Sequence, residues 1–149
     1  MEHVTIGKQT TPDVVFVMEG VNDCSHGFAF HIPEEAPTGS QIFEGIRKII
    51  ETGREKGSKV YVSTVMPFGC YGEAFREEAE VIRQECNGLL RANRDMADGF
   101  LDLDEIMRKE DIHFMKDGMH LGDGVHPNET GGRAIAEAIL AAFFNYGSN

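Results

Sequence analysis

The first block of apolar positions is an unbroken run, Val14-Val15-Phe16-Val17-Met18, introduced by Pro12-Asp13 and closed by Gly20. Such a run suits a strand covered on both faces of a parallel sheet, and it is expected to be the most buried strand present. The stretch from Cys24 to Gly39, with its Gly and Pro residues, reads as a loop. Ser40 then stands where a helix cap would, followed by Ile42, Ile46, Ile49 and Ile50 on one helical face until about Gly57. Lys59-Val60-Tyr61-Val62-Ser63-Thr64-Val65 predicts a second strand, stopped by Met66-Pro67 and the Gly69 and Gly72 turns. From about Glu73 to Asn93, the recurrence of Phe75, Ala79, Ile82, Cys86, Leu89 and Asn93 predicts a helix. Phe100-Leu101-Asp102-Leu103 gives a short third strand, Asp104 to Lys109 a helical turn, and the residues up to Gly124 a polar loop. A last helix runs from Thr130 to Phe144, with Ile135, Ala138, Ile139 and Ala142 inward.

Strand and helix alternate throughout, so the expected class is α/β: a short parallel sheet with helices covering it. The chain of 149 residues, 41% hydrophobic, holds one core, and residues 1–149 read as a single domain. In such sheets reactive groups gather beyond the carboxyl ends of the strands, where the turn after Met18 and the loop before the last helix can meet.

Charge narrows the partners. With 25 acidic and 14 basic side chains the formal charge is -11, which disfavours nucleic acid and anionic membrane surfaces. No run approaches the roughly 18 apolar residues of a membrane span, and Met1-Glu2-His3-Val4-Thr5 lacks the features of a secretory signal, so a cytoplasmic location is expected. Cys24, Cys70 and Cys86 are an odd count without metal-ligand spacing and read as reduced thiols, Cys86 in the core.

The candidate chemistry lies in Asp123-Gly124-Val125-His126-Pro127. An acid three residues before a histidine can orient the imidazole and stabilise its cation while the ring takes a proton from a nucleophile. The alternative is a loop aspartate capping the last helix beside a turn histidine. His113, Asp117, His120 and Asp123 do not have the spacing of a metal site, and no metal or cofactor is expected. His26 and His31 read as loop residues, and Met107, Met115 and Met119 as core fillers or the wall of an acyl pocket.

Two segments together resemble the SGNH, or GDSL-type, hydrolases. Pro12 to Asp23, a strand ending in Gly20-Val21-Asn22-Asp23, resembles the family's G-x-N-D block, and Asp123 to Pro127 its D-x-x-H-P block; their order and the helix start at Asn128-Glu129-Thr130-Gly131-Gly132 agree. The resemblance implies a three-layer α/β/α, flavodoxin-like fold and hydrolysis of carboxylic esters, here short-chain acyl esters, without a cofactor. It implies His126 as general base and acid, Asp123 as its orienting carboxylate, Asn22 as an oxyanion donor, and Gly20 and Asp23 as supports of the turn.

No G-D-S block occurs in the sequence, and only Met1 to Thr11 precede the G-x-N-D strand segment. The chain therefore resembles the C-terminal part of such a hydrolase, missing one or more N-terminal strands. Ser25 is the substitute nucleophile that the sequence offers, Cys24 a weaker one, and Ser63 is expected to be packed inside its strand. The other reading is an inactive remnant, or an oligomerising subunit whose nucleophile comes from a partner chain. Loss of a neighbouring strand would leave the Val14 to Met18 edge unpaired, which predicts a homodimer or higher oligomer.

Overall fold

The computed structural model describes residues 11–69, 72 and 75–144. The expectations for Met1 to Thr5, for Cys70 and for a helix start at Glu73 lie outside these residues. Three parallel strands, β1 (Val14–Val17), β2 (Lys59–Ser63) and β3 (Gly99–Leu101), form a sheet in the order β1-β2-β3. Val15 lies opposite Val60, Val17 opposite Val62, and Val62 opposite Phe100.

The two-residue alternation of each strand sorts its side chains into two cores. Val17, Val60 and Val62 point to one face, where they meet Ile42, Phe43, Ile46 and Ile50 of helix α2 (Gly39–Glu55) and Ala79, Cys86 and Leu90 of α3 (Glu77–Ala92). Phe16 and Leu101 point to the other, where α5 (Glu129–Phe143) contributes Ile135 and Phe143. Phe143 stacks on Tyr61 with ring centroids 4.3 Å apart. The result is the three-layer α/β/α arrangement with a short parallel sheet. Among the described residues no helix is long and apolar enough to cross a membrane.

Several expectations change. The most buried strand is β2, not β1: β2 has a neighbour on each side and is buried from Val60 to Ser63, whereas among the described residues β1 pairs with β2 alone and leaves Val14 42% exposed. The segment after Gly20 is not a loop but helix α1 (Val21–Ala29), with Cys24, Ser25 and Phe28 buried on one side. Its polar and glycine positions conceal the helical period. The cap of α2 is Thr38, not Ser40; its hydroxyl accepts the N–H of Gln41, whose side chain accepts the N–H of Thr38 in return. Ile49 faces outward, and so does Ala142 of α5.

Helix α3 differs most. Its buried face carries Glu80, Arg83 and Asn87 beside Ala79, Cys86 and Leu90. Arg83 is fully enclosed and donates to Glu80 (2.8 and 2.6 Å), to Asp104 of α4 (Leu103–Met107) at 2.6 Å, and to the carbonyls of Val65 and Ile112. Asn87 accepts the N–H of Val65 at 2.7 Å and donates to its carbonyl at 2.9 Å. Both backbone groups of Val65 are thus held by side chains of α3. Arg91 extends the cluster to Asp102 and Asp104, and its guanidinium is bound more firmly to its proton by those carboxylates. A buried charge tolerates enclosure only when paired and hydrogen-bonded in this way.

Candidate active site

The chain leaves β1 through Met18 and Glu19 and turns at Gly20, whose φ of 120° belongs to glycine. A Cβ there would stand 2.8 Å from Cγ2 of Val65, so the turn is pressed against the end of β2. Helix α1 starts immediately, the Gly20 carbonyl accepting the N–H of Cys24 at 2.9 Å. Asn22 and Asp23 are exposed in its first turn.

The loop before α5 approaches the same end of the sheet. Val125, 7% exposed, belongs to the main core and lines a narrow crevice of about 30 Å³ with Met18, Glu19, Val21 and residues 64–67. Val21 precedes Asn22 and Val125 precedes His126, so the two motif segments meet at one crevice beyond the strand ends.

His126 lies outside that crevice wall, exposed, with Nδ1 2.6 Å from Oδ2 of Asp123. The other carboxylate oxygen accepts the backbone N–H groups of Val125 and His126, each at 3.0 Å. These backbone bonds, followed by the imidazole, hold the Asp123 carboxyl well below the usual carboxylate range. An ionised acceptor requires Nδ1–H to be the donor, which leaves Nε2 as the basic nitrogen of His126. The pair therefore has the arrangement of an oriented general base.

The loop holding this pair is built by two residues whose roles the sequence reading missed. Asn128 caps α5 by accepting the N–H of Gly131 at 3.0 Å, and its amide donates to the carbonyls of Gly118 (2.8 Å) and His120 (3.0 Å). The N–H of Leu121 donates to the His126 carbonyl and that of Asn128 to Met119, closing a small antiparallel bridge. His120 accepts two backbone N–H groups inside the loop, from Gly122 and Gly124. Asn at the start of a helix signals a cap, but nothing in the sequence signals the reach back to the carbonyls.

Ser25 and Cys24 sit elsewhere in α1. Ser25 is 3% exposed, its hydroxyl donates to the Asn22 carbonyl at 3.2 Å, and it is not part of the crevice wall. Cys24 is fully enclosed, and burial pushes its thiol up to about 12, as it does that of Cys86. Ser63 is packed within β2. Met107 and Met115 fill the second core, with Met119 partly buried against it. His113 lies 3.4 Å from Asp111, and Asp117 2.5 Å from Lys109. His26 belongs to α1, its ring tilted against that of Phe30 with centroids 5.0 Å apart.

Comparison with known proteins gives concordant results. The profile of the GDSL-like Lipase/Acylhydrolase family matches residues 3–134. No curated protein sequence matches significantly. Among solved structures, the chain is similar to a GDSL-like lipase from Bacteroides thetaiotaomicron (TM-score 0.68, 20% identity, 87% of this chain and 61% of that one). It is also similar to a mutant acetyl-xylooligosaccharide esterase from Geobacillus Stearmophilus (TM-score 0.67, 18% identity, 93% of this chain and 63% of that one). The chain thus spans about three fifths of the length of these structures.

Proposed function

The chain belongs to the GDSL-like lipase/acylhydrolase family, and from that premise we propose that it carries the acid–base half of a carboxylic-ester hydrolase acting on short-chain acyl esters. The observation that carries this reading is the 2.6 Å contact between His126 Nδ1 and an ionised Asp123. In the proposed reaction a serine hydroxyl attacks the ester carbonyl as Nε2 of His126 takes its proton. The Asn22 amide donates to the oxyanion; such a donor contributes about 3 kcal/mol in the transition state. His126 then protonates the leaving alcohol, and water, deprotonated by the same ring, resolves the acyl-enzyme. The acetyl-ester specificity named for the Geobacillus structure favours small acyl groups, as does the narrow crevice.

The buried, inward-bonded Ser25 is a poor nucleophile, and the thiol of Cys24 is poorer still. We assign the nucleophile instead to a serine on a segment that docks along the edge of β1 left unpaired among the described residues. The exposure of Val14 and Met18 there favours such docking, and equally the reading of an oligomerising subunit in which two copies share the edge. Hydrolysis of p-nitrophenyl acetate and butyrate is measured with the protein, His126→Ala and Ser25→Ala. With the serine supplied by a docking segment, the chain by itself is expected to show no turnover and no fluorophosphonate labelling, and turnover restored by a serine-bearing second polypeptide is expected to be lost in His126→Ala and kept in Ser25→Ala. Turnover by the chain alone that is lost in both variants would return the nucleophile to Ser25.

A further inference from the structure

His120 is six positions before His126 and is bonded in the opposite sense. Its Nδ1 accepts the backbone N–H of Gly122 at 3.0 Å and that of Gly124 at 3.1 Å. Two donors directed at one ring nitrogen require that nitrogen to carry no proton, so the ring is neutral with its hydrogen on Nε2. In His126 the hydrogen sits on Nδ1, facing Asp123.

Gly122 and Gly124 flank Asp123. Both have positive φ, 102° and 76°, which turns their N–H groups inward toward the ring. The next two N–H groups, of Val125 and His126, converge on Asp123 itself. Four backbone donors are therefore gathered by two side chains, and Asp123, which faces His126, lies between the two glycines that His120 holds. We propose that His120 is a positioning residue for the Asp123–His126 pair, a latch that is closed when its Nδ1 is unprotonated and opens when that nitrogen takes a proton. The proposal rests on the reading of the pair as the acid–base half of the site.

Protonation would replace the acceptor with a third donor facing two others, and both bonds would be lost. Neighbouring charges do not offset this. Asp123 is engaged by His126, Asp117 by Lys109, and Glu129 in the first turn of α5 by Arg133. Among the described residues none of these carboxylates forms an ion pair with the His120 ring.

Nitrogen-15 and amide-proton NMR of the whole chain between pH 8 and pH 5 tests the latch without requiring turnover. The expected result at pH 8 is an unprotonated Nδ1 and protonated Nε2 in His120. The Gly122 and Gly124 amides should shift with the His120 ring as pH falls, and still do so in His126→Ala. In His120→Asn, whose amide oxygen can accept the same N–H groups but does not titrate, this inflection should vanish and slow amide exchange should persist. In His120→Ala exchange at both glycines should quicken about tenfold or more. A protonated Nδ1 at pH 8, or an inflection that survives in His120→Asn, would overturn the latch. Inactivity of the ester site would leave these readouts intact, so failure of the function and failure of the latch are separable. Where turnover is present, the acid limb of kcat/KM should be steeper in the wild type than in His120→Asn.

Discussion

The two segments that meet at the crevice are held by different forces. The Gly20 turn is fixed by packing: Gly20 lies against Val65, and Cys24 and Phe28 just beyond it enter the main core. The loop from Gly118 to Asn128 is fixed by side chains of Asn128, His120 and Asp123 that capture its backbone, with Val125 as its peg in the core. The first can move only if the core moves. The second can be loosened bond by bond, by protons or polar substitutions, while the sheet stays folded. An ester hydrolase with this design would have a rigid oxyanion side and an adjustable acid–base side.

The largest effect that sharpens this contrast is expected from Gly20→Val. Overpacking against Val65 and a branched residue at positive φ together cost about 2–5 kcal/mol. Urea unfolding should show that loss as a lower midpoint for the entire transition. A destabilisation confined to the turn would break the comparison. Next is Asn128→Ala, which removes a helix cap and two carbonyl contacts and should cost about 1–2 kcal/mol. Here hydrogen exchange should rise at residues 118–126 and stay slow in β2; equal loosening of both would show that the loop is part of the core's cooperative unit.

The smallest effect concerns acid. The native Asp123 carboxyl is lowered from its ordinary value of 3.8 by backbone N–H groups and His126, so its contribution is fully present above that value. It is lost as pH falls from there toward the lower native value. Asp123→Asn should therefore flatten the decline of stability below about pH 4 relative to the wild type, measured by chemical denaturation across pH. An unchanged decline would mean that the carboxylate does not hold its loop.

Much of the architecture could be read because apolar residues report burial directly. The β2 segment, the Ile42, Ile46 and Ile50 stripe and the last helix were expected where they occur, within a few residues. Helix α1 was not, because more than half of its short span is polar or glycine. Arg83 and Asn87 do not stand out in the sequence, since a polar group buried by its partners has no distinct signature in one sequence. The spacing of Asp123 and His126 suggested their contact, but the bonds that arrange it come from His120 and Asn128, whose side chains address backbone atoms. Backbone partners leave no residue type to recognise.

The grip on Val65 has a further consequence for the shape of the molecule. Thr64 still bonds to the Leu101 carbonyl, as a strand residue would, but the next N–H and C=O are occupied by Asn87 and Arg83. The ladder can propagate no further through Val65. Thr64, Val65, Met66 and Pro67, the residues at and just past this polar stop, line the crevice instead, so the opening begins where side chains rather than a neighbouring strand take over the backbone.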